Sequence, residues 1–338
     1  MRSFSRPTLK DVARLSGVSE ISVSRVMRNA PNVSEKLKEK VQVAAAELNY
    51  TPNRVAGALA SVTTDLVGVI LPSMSNSVFP VVLDGIDSVL SGTAFRTVLG
   101  ISHYDVHREE EIIRDILAWN PAGIIITGFE HSQQSRQLLQ HSCCPVIEIM
   151  DADGEPIDAS LGVSHEAAGK MMAEHFYDVG YKKIGYIGAW GERPLRSKKR
   201  RIAFEQQLAR RGIPLVAKLI EDGDSSLLLG KNACAAILNK HPEIEALFFA
   251  NDDLACGALL HCSEKGIQVP EQMGLAGFNG LPLIDAMALK MTTIKTPRYE
   301  MGVAAAKMFL TRIGAQSAPL KVTMPLHVLE GDTTVKAK

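Results

Sequence analysis

Two short segments carry polar side chains near the start of predicted helices, where a small anionic ligand could bind. In PSMSNSVF, the hydroxyl and amide groups of Ser73, Ser75 and Asn76 follow an apolar run, and Phe79 offers an apolar wall. In GERPLRSKKRR, residues 191–201, six cationic side chains stand together. Backbone N–H groups at a helix start attract anions, and a guanidinium binds a carboxylate through two parallel hydrogen bonds. We nevertheless expect most of the cationic run to be a solvated helix face.

Other residue patterns give little support for catalysis or metal binding. His103, Asp105 and His107 in HYDVHREEE could suggest a metal site, but the polar start of a helix explains them better. The sequence contains no G-x-S-x-G, phosphate-binding glycine loop or H-E-x-x-H motif, so hydrolase, kinase and metalloprotease functions lack a motif. The five cysteines lack C-x-x-C spacing, which argues against a disulfide framework or a zinc site. We therefore predict no catalytic residues, no metal and no cofactor.

Apolar runs of strand length alternate with helical segments through most of the chain. The runs are LVGVIL, FRTVLGI, GIIITGF, PVIEIM, KIGYIGAW, VAKLIED, ALFFAN and GLAGFN, and the helical segments are 79–91, 108–119, 132–141, 197–211, 226–240 and 252–265. This alternation predicts an α/β fold with parallel sheets covered on both faces. The alternating pattern covers about 275 residues, which is more than a single sheet with its helices usually contains, so we predict two similar lobes. A ligand would bind in the cleft between them, at the carboxyl ends of the strands.

The beginning of the chain has a different, all-α pattern. We predict three short helices, at about residues 9–16, 20–28 and 34–49. Thr8 with Asp11 forms a capping box before the first helix, and Ser19 can cap the second. Gly17 permits a tight turn between them, which is the arrangement of a helix-turn-helix. A generic three-helix bundle is the alternative.

Charge is unevenly distributed along a chain that is neutral overall. Residues 1–61 contain ten Lys and Arg against five Asp and Glu, a net +5, which leaves 27 against 32, or −5, for the remainder. A basic head on an acidic body predicts a polyanionic partner for the head. Ile21 also needs an explanation, because it cannot share the helical face of Val18, Val23 and Val26 and must be exposed. The basic charge and the helix-turn-helix spacing predict that the head binds DNA.

Length and composition set wider bounds on the protein. A chain of 338 residues with 46% hydrophobic and 22% charged residues is typical of a globular protein with two or three domains. No run approaches the roughly 18 apolar residues of a membrane span, and the amino terminus lacks the apolar region of a signal peptide. We therefore expect a cytoplasmic protein without a membrane partner.

Longer stretches of both regions form specific motifs. They are TLKDVARLSGVSEISVSRVMRN, VSEKLKEKVQVAAAELNYTPNRVAGALAS, LVGVILPSMSNSVFPVVLDGI, FFANDDLACGALL, VPEQMGLAGFNG and TTIKTPRYEMG. Together they resemble the LacI/GalR family of bacterial transcription regulators, and within it most closely the gluconate-utilisation repressors. The resemblance implies a helix-turn-helix DNA-binding head at 1–51, a hinge helix at 52–62, and a two-lobed periplasmic-binding-protein-like domain for effector binding and dimerisation at 63–338.

The resemblance implies that the second helix of the head enters the major groove of DNA. Glu20 would accept a hydrogen bond from cytosine N4, and Ile21 would pack on a thymine methyl group. Alternatively, Glu20 is an exposed first-turn acid that the helix dipole favours. The implied DNA-binding residues are Thr8, Ser19, Glu20, Ile21, Ser22, Ser24, Arg25, Asn32, Tyr50, Asn53, Arg54, Ala56 and Leu59.

PNRVAGALAS, residues 52–61, resembles the hinge helix of the family, which orders on operator DNA. Leu59 matches the residue that inserts into the minor groove, where an apolar wedge bends the duplex. Gly57 disfavours an isolated helix by about 1 kcal/mol relative to Ala, which suits a segment that folds only when bound. A plain linker is the alternative.

The resemblance also implies an effector in the cleft. Arg200 lies four residues before Phe204, where the family keeps an effector-binding arginine. Asn279 stands where the family usually has an Asp that binds sugar hydroxyls, and Ser164 and His165 replace a common Asp-Asn pair. With two fewer acidic residues beside an arginine, the site favours an anionic ligand, such as gluconate or a related sugar acid. The implied effector-binding residues are Ser73, Ser75, Asn76, Phe79, Asp151, Ser164, His165, Arg200, Asn251, Asp252 and Asn279.

We therefore predict a transcriptional repressor of sugar-acid catabolism rather than an enzyme. It would act as a homodimer or tetramer on a palindromic double-stranded operator and be released by its effector. A co-repressed or dual regulator of a ketogluconate or neutral-sugar pathway is the alternative, because the sequence does not give the sign of the response. A solute-binding protein would carry a secretion signal and no DNA-binding head, and an enzyme would turn over its ligand.

Overall fold

The Cα positions of this computed structural model separate into two units, residues 1–63 and 64–338. The residues that the structure describes are 7–28, 30–51, 64–191, 193, 195–313 and 320–334. The predicted hinge residues Asn53, Arg54, Ala56 and Leu59 lie outside the described residues, and the boundaries proposed for the hinge therefore stay predictions.

The described residues of the first unit form three helices at the predicted positions: α1 (Leu9–Ser16), α2 (Glu20–Met27) and α3 (Glu35–Glu47). Thr8 and Asp11 form the predicted capping box, in which each side chain accepts a hydrogen bond from the backbone N–H of the other residue. Ser19 accepts a hydrogen bond from Ser22 N at 3.2 Å and caps α2. Gly17 has a φ of +61°, a left-handed conformation that glycine adopts without steric cost, so the chain can turn sharply between α1 and α2.

Small apolar side chains from all three helices form the core of this unit. The buried members are Val12, Ala13, Val23, Val26, Val41, Ala44 and Ala45. Val18, Leu37 and Leu48 pack against them and are partly buried. Ile21 is 74% exposed, as its position on the opposite face of α2 predicts. The core therefore holds α2 in place by its valine face and leaves the Ile21 face free.

The second unit contains two sheets, each of six strands among the described residues. The first has the order β11-β5-β4-β3-β1-β2, and the second has the order β12-β10-β9-β8-β6-β7. The strands of the first sheet are β1 (Leu66–Leu71), β2 (Arg96–Ile101), β3 (Gly123–Thr127), β4 (Val146–Ile149), β5 (Ala159–Gly162) and β11 (Leu320–Thr323). Those of the second sheet are β6 (Ile184–Gly188), β7 (Ala217–Ile220), β8 (Ala246–Phe249), β9 (Gly274–Asn279), β10 (Thr292–Lys295) and β12 (His327–Leu329).

Neighbouring strands are parallel in both sheets, except that β12 runs antiparallel to β10. All eight predicted strands are present, and the two sheets confirm the predicted lobes. The chain passes from one sheet to the other after β5, after β10 and after β11. The carboxyl ends of the parallel strands are where such a fold collects loop residues for a ligand.

Helices cover the sheets and connect successive strands. They are α4 (Val78–Leu90), α5 (Val106–Ala118), α6 (Gln133–Gln140), α7 (His165–Val179), α8 (Leu195–Arg210), α9 (Leu227–Lys240), α10 (Asp252–Lys265), α11 (Pro282–Asp285) and α12 (Arg298–Arg312). The six predicted helices correspond to α4, α5, α6, α8, α9 and α10. No helix in the described part of the chain is long and apolar enough to cross a membrane.

Helices α4 and α12 approach each other so closely that glycine is required at their contact. A Cβ atom on Gly85 would lie 2.2 Å from Tyr299 O, whereas a Cβ atom on Gly92 would meet nothing within 4 Å. We expect Gly85→Ala to lower the free energy of unfolding by about 1–3 kcal/mol, because the added methyl group pushes the two helices apart. Urea unfolding measures the change, with Gly92→Ala as the control. Equal stability of the two variants would show that the contact tolerates a side chain.

Candidate functional site

The exposed side of α2 presents several of the predicted DNA-binding residues together. Ser19, Glu20, Ile21 and Arg25 are exposed there. Ile21 and Arg25 are four residues apart and therefore lie on the same helical face. The Arg25 guanidinium donates a hydrogen bond to Pro31 O at 3.3 Å, which holds it beside the loop that follows α2.

The other described residues of the predicted DNA-binding set surround this face or take part in local bonds. Ser22 and Ser24 are half-buried, and Ser24 Oγ accepts a hydrogen bond from Arg28 Nη2 at 2.9 Å. Thr8 caps α1, so its hydroxyl lies beside the free N–H groups of that helix, a position that attracts phosphate. Asn32 is exposed with a φ of +64°, and Tyr50 is half-buried. Base contact by these residues stays a prediction.

The predicted effector-binding residues follow the carboxyl ends of strands in both sheets. They come after β1 (Ser73, Ser75, Asn76 and Phe79), β4 (Asp151), β5 (Ser164 and His165) and β8 (Asn251 and Asp252), at the end of β9 (Asn279), and on α8 (Arg200). Several of them are bonded within their own loops. Ser73 Oγ accepts a hydrogen bond from Asn76 N at 3.2 Å, and Ser164 caps α7. Phe79 packs in the core of the first sheet.

Arg200 is the most tightly held of these residues. It is 4% exposed, and its guanidinium carbon lies 3.6 Å from the centroid of the Phe278 ring. Its Nη2 donates a hydrogen bond to Ala250 O at 2.7 Å, and its Nη1 lies 2.9 Å from His165 Nδ1. Burial lowers the pKa of Arg200 to about 10, so the group stays charged at neutral pH. Its Nε has no hydrogen-bond partner among the described residues.

His165 is a neutral acceptor for this arginine. Burial, together with the charges of Arg200 and Arg196, holds the pKa of His165 well below its usual value. Because a guanidinium only donates hydrogen bonds, Nδ1 of His165 must accept. Its Nε2 then carries the proton and donates to Met150 O at 3.0 Å. This fixed tautomer positions the Arg200 side chain.

Replacing His165 with Gln should make stability less dependent on pH. Unfolded His165 binds a proton as the pH falls below about 6.5, whereas the folded protein resists protonation, so stability is lost in that direction by up to about 1.4 kcal/mol per pH unit. Gln can accept from Arg200 and donate to Met150 O without titrating. Urea unfolding of both proteins at several pH values between about 7.5 and 5 measures the difference. If the free energy of unfolding changed with pH in the same way in both proteins, His165 would titrate normally in the folded protein.

The carboxylates of the site already have partners. Asp151 pairs with Lys199, whose Nζ lies 2.6 Å from Asp151 Oδ2 and also donates to Asp153 O. Asp252 accepts hydrogen bonds from Thr293 Oγ1 at 2.6 Å and Leu281 N at 2.8 Å, and burial raises its pKa to about 6.

The residue that caps α10 is Asn251. Its side chain accepts a hydrogen bond from Leu254 N at 3.2 Å. Asp252, the first residue of α10, joins the segments that follow β8 and β9 to β10. Its carboxylate is therefore part of the framework that positions the strand ends.

The expectation of a solvated face for most of the cationic run is wrong. Arg196, Arg200 and Arg201 are buried, and Lys199 is half-buried. Arg196 and Lys199 turn inward because carboxylates from distant parts of the chain meet them, as in the pair Arg196–Glu130 at 3.5 Å. Arg201 instead pairs with Glu205, one turn further along the same helix, at 2.9 Å. Both Arg196–Glu130 and Lys199–Asp151 connect α8 to loops of the first sheet.

Sequence reasoning missed Arg298, which begins α12 just after β10. Its side chain is 7% exposed, and Nη2 donates a hydrogen bond to Gly280 O at 2.8 Å. The residue lies inside the motif TTIKTPRYEMG, but its place at a strand end was not apparent because β10 was not predicted. No group of His, Cys, Asp and Glu side chains in the described part of the chain could hold a metal ion.

Two family descriptions match this sequence. Residues 8–53 match "Bacterial regulatory proteins, lacI family", and residues 64–329 match "Periplasmic binding proteins and sugar binding domain of LacI family". The HTH-type transcriptional regulator GntR of Pseudomonas aeruginosa is 37% identical over 316 residues, which cover 93% of this chain and 92% of that protein.

Solved structures resemble the whole chain. A LacI-family transcriptional regulator from Silicibacter pomeroyi has a TM-score of 0.93 and 41% identity, and the match covers 97% of this chain and 99% of that one. The lac repressor dimer bound to operator and the anti-inducer ONPF has a TM-score of 0.83 and 27% identity, with 98% and 100% coverage. The chain therefore belongs to the LacI family of bacterial transcriptional regulators.

Proposed function

We propose that this protein represses genes of sugar-acid catabolism and leaves its operator when gluconate or a related sugar acid binds. The observation that carries the proposal is the buried Arg200 guanidinium, which keeps an unpartnered N–H while it stacks on Phe278, the residue before Asn279. A carboxylate would complete the bonds of this cation, whereas a neutral sugar would leave its charge uncompensated. The similarity to GntR and to the gluconate-utilisation repressors supports the same ligand class.

The first unit provides the operator contacts in this proposal. Glu20 and Ile21 read base edges in the major groove, Arg25 contacts a base or phosphate, and Thr8 and Ser19 bind phosphates from helix starts. Two copies of the chain bind a palindromic operator, so each contact occurs twice. The protein acts in the cytoplasm, where the bacterial chromosome lies, and binds its effector without turning it over.

Effector binding would act on the two lobes through the contacts that join them. Arg196–Glu130 and Lys199–Asp151 connect α8 to the loops after β3 and β4, beside the proposed ligand. A sugar acid that binds Arg200 on α8 competes with or strengthens these contacts, so it favours one arrangement of the lobes over another. A coupling of about 1–3 kcal/mol corresponds to a 5- to 150-fold change in operator affinity.

Footprinting on DNA from the source organism, followed by gel-shift titration with gluconate, ketogluconate and glucose, tests this function. We expect a protected palindrome that gluconate or ketogluconate releases and glucose does not. Operator binding that none of these compounds changes would contradict the effector class. Tighter binding in the presence of the acid would keep the ligand class and reverse the sign, which makes the protein a co-repressed regulator.

A further inference from the structure

Arg200 and Arg298 both contact the last residues of β9 and the glycine that follows it, and the charge of Asp252 acts on both. The Arg200 guanidinium stacks on the ring of Phe278, and Arg298 donates a hydrogen bond to the carbonyl oxygen of Gly280. Asn279 lies between these two contacts in the chain and is 7% exposed. The two arginines come from different helices, α8 and α12, and they meet the second sheet at the edge where its carboxyl ends collect.

Both arginines have unsatisfied hydrogen-bonding groups although they are more than nine-tenths buried. Nε of Arg200 and both Nε and Nη1 of Arg298 have no hydrogen-bond partner among the described residues. Buried guanidinium nitrogens without partners are costly, so native proteins keep few of them without a purpose. Such groups are expected where a ligand supplies the missing acceptors.

Two buried carboxylates that follow strands β8 and β4, Asp252 and Asp151, do not supply these acceptors. Asp252 is close enough to influence the pKa of Arg298, but its oxygens accept hydrogen bonds from Thr293 and Leu281 instead. Asp151 is bound by Lys199. Between the two contacted residues Phe278 and Gly280 the chain has an amide, Asn279, where an aspartate would have added an anion.

Asn279 is itself held in a rare backbone conformation. Its φ is +114°, in the region that glycine tolerates best, and its carbonyl oxygen accepts hydrogen bonds from Thr296 N at 3.1 Å and Thr296 Oγ1 at 3.2 Å. Strained backbone of this kind persists where surrounding contacts over-determine it, and such sites are frequent at ligand clamps. The segment that follows β10, which includes Thr296 and Arg298, is therefore coupled to the position of Asn279.

We propose that Arg298 is a second anion-binding residue, and that Arg200 and Arg298 together bind the carboxylate of the effector beside the amide of Asn279. This inference rests on the proposed function and adds a specificity determinant to it. Two guanidinium groups from different helices distinguish a sugar acid from the uncharged sugar of the same length, because only the acid provides acceptors with a negative charge. The carboxylate of the ligand takes the role that an aspartate at position 279 would otherwise have.

Isothermal titration calorimetry of the full chain with sodium gluconate tests the role of Arg298. We expect Arg298→Gln to weaken binding by about 10- to 150-fold, the range given by a lost charge-assisted hydrogen bond. Arg298→Lys should recover part of the affinity, since it restores the charge without the planar group. Arg114→Gln removes an exposed cation from α5 and serves as the matched control. Operator binding by each variant verifies that it folds.

Asn279→Asp provides a second test, and a purely structural role of Arg298 would not produce its expected result. The variant places a carboxylate between the two residues that Arg200 and Arg298 contact, so we expect weaker gluconate binding together with a higher melting temperature without ligand. Wild-type gluconate affinity in Arg298→Gln, or unchanged affinity and melting temperature in Asn279→Asp, would overturn the inference while leaving the proposed function in place. If the wild-type chain binds no sugar acid, both the proposed function and this inference fail.

Discussion

Replacing Arg200 with Gln is expected to weaken gluconate binding by about 100-fold. The guanidinium is buried, stacked on Phe278 and fixed by His165 and Ala250 O, so it is already oriented for a ligand. A lost hydrogen bond between charged groups costs about 1.5–3 kcal/mol, and each 1.4 kcal/mol is tenfold in affinity. Calorimetry measures the affinity, and fluorescence anisotropy gives the gluconate concentration that releases operator DNA.

The control for Arg200→Gln is Arg211→Gln, which removes an exposed arginine of an ion pair with Glu174. Operator affinity without ligand should be the same in the wild-type protein and both variants, because neither side chain belongs to the first unit. An Arg200→Gln protein that gluconate still releases at the wild-type concentration would show that the effector does not bind this arginine.

Ile21→Ser is expected to weaken binding to the specific operator by at least about 30-fold. A good base contact is worth about 1–3 kcal/mol, and a dimer loses it in both half-sites. Because Ile21 is 74% exposed and lies outside the core of its unit, the thermal stability of the first unit should hardly change. Gel shifts with operator and with random duplex separate specific from non-specific binding.

Val43 offers a matched control for Ile21, since it is also an exposed branched aliphatic residue, 62% accessible, but lies on α3. Val43→Ser should bind operator as the wild-type protein does. If Ile21→Ser keeps full preference for operator over random duplex, then Ile21 makes no base contact, and the recognition surface must lie elsewhere on the first unit.

The head could be predicted from sequence almost completely, because its structure depends on local signals. Thr8, Asp11, Gly17 and Ser19 define where helices begin and end through bonds that span only a few residues. The exposure of Ile21 followed from helical geometry alone. What could not be predicted is which bases it contacts, since that depends on the DNA.

The larger unit was predicted less completely, for two different reasons. Strands β5, β11 and β12 are short and contain polar residues, and they form because each pairs with a neighbouring strand that is distant in sequence or absent from the local pattern. Helices α7 and α12 were also not predicted, although their sequences do have a helical apolar pattern, such as Ala168, Met172 and Phe176 in α7. These two helices could have been predicted from the sequence.

The cleft required the structure because its charges pair over long distances in the chain. Lys199 meets Asp151, which is 48 residues away, and such pairs leave no local signal. For the same reason, residues 191–201 resembled a solvated face although most of their described cations turn inward. Arg298 was not assigned to the cleft because its position depends on β10, and β10 depends on its neighbours in the second sheet.

The most direct test of ligand-controlled DNA binding is the dissociation constant of gluconate measured twice, with the free full-length protein and with the protein saturated with operator. Linkage requires that operator weaken gluconate binding by the same factor by which gluconate weakens operator binding, about 5- to 150-fold. We expect the two factors to agree within error. An identical gluconate dissociation constant with and without operator would show that the two sites are independent, and would contradict a ligand-controlled repressor.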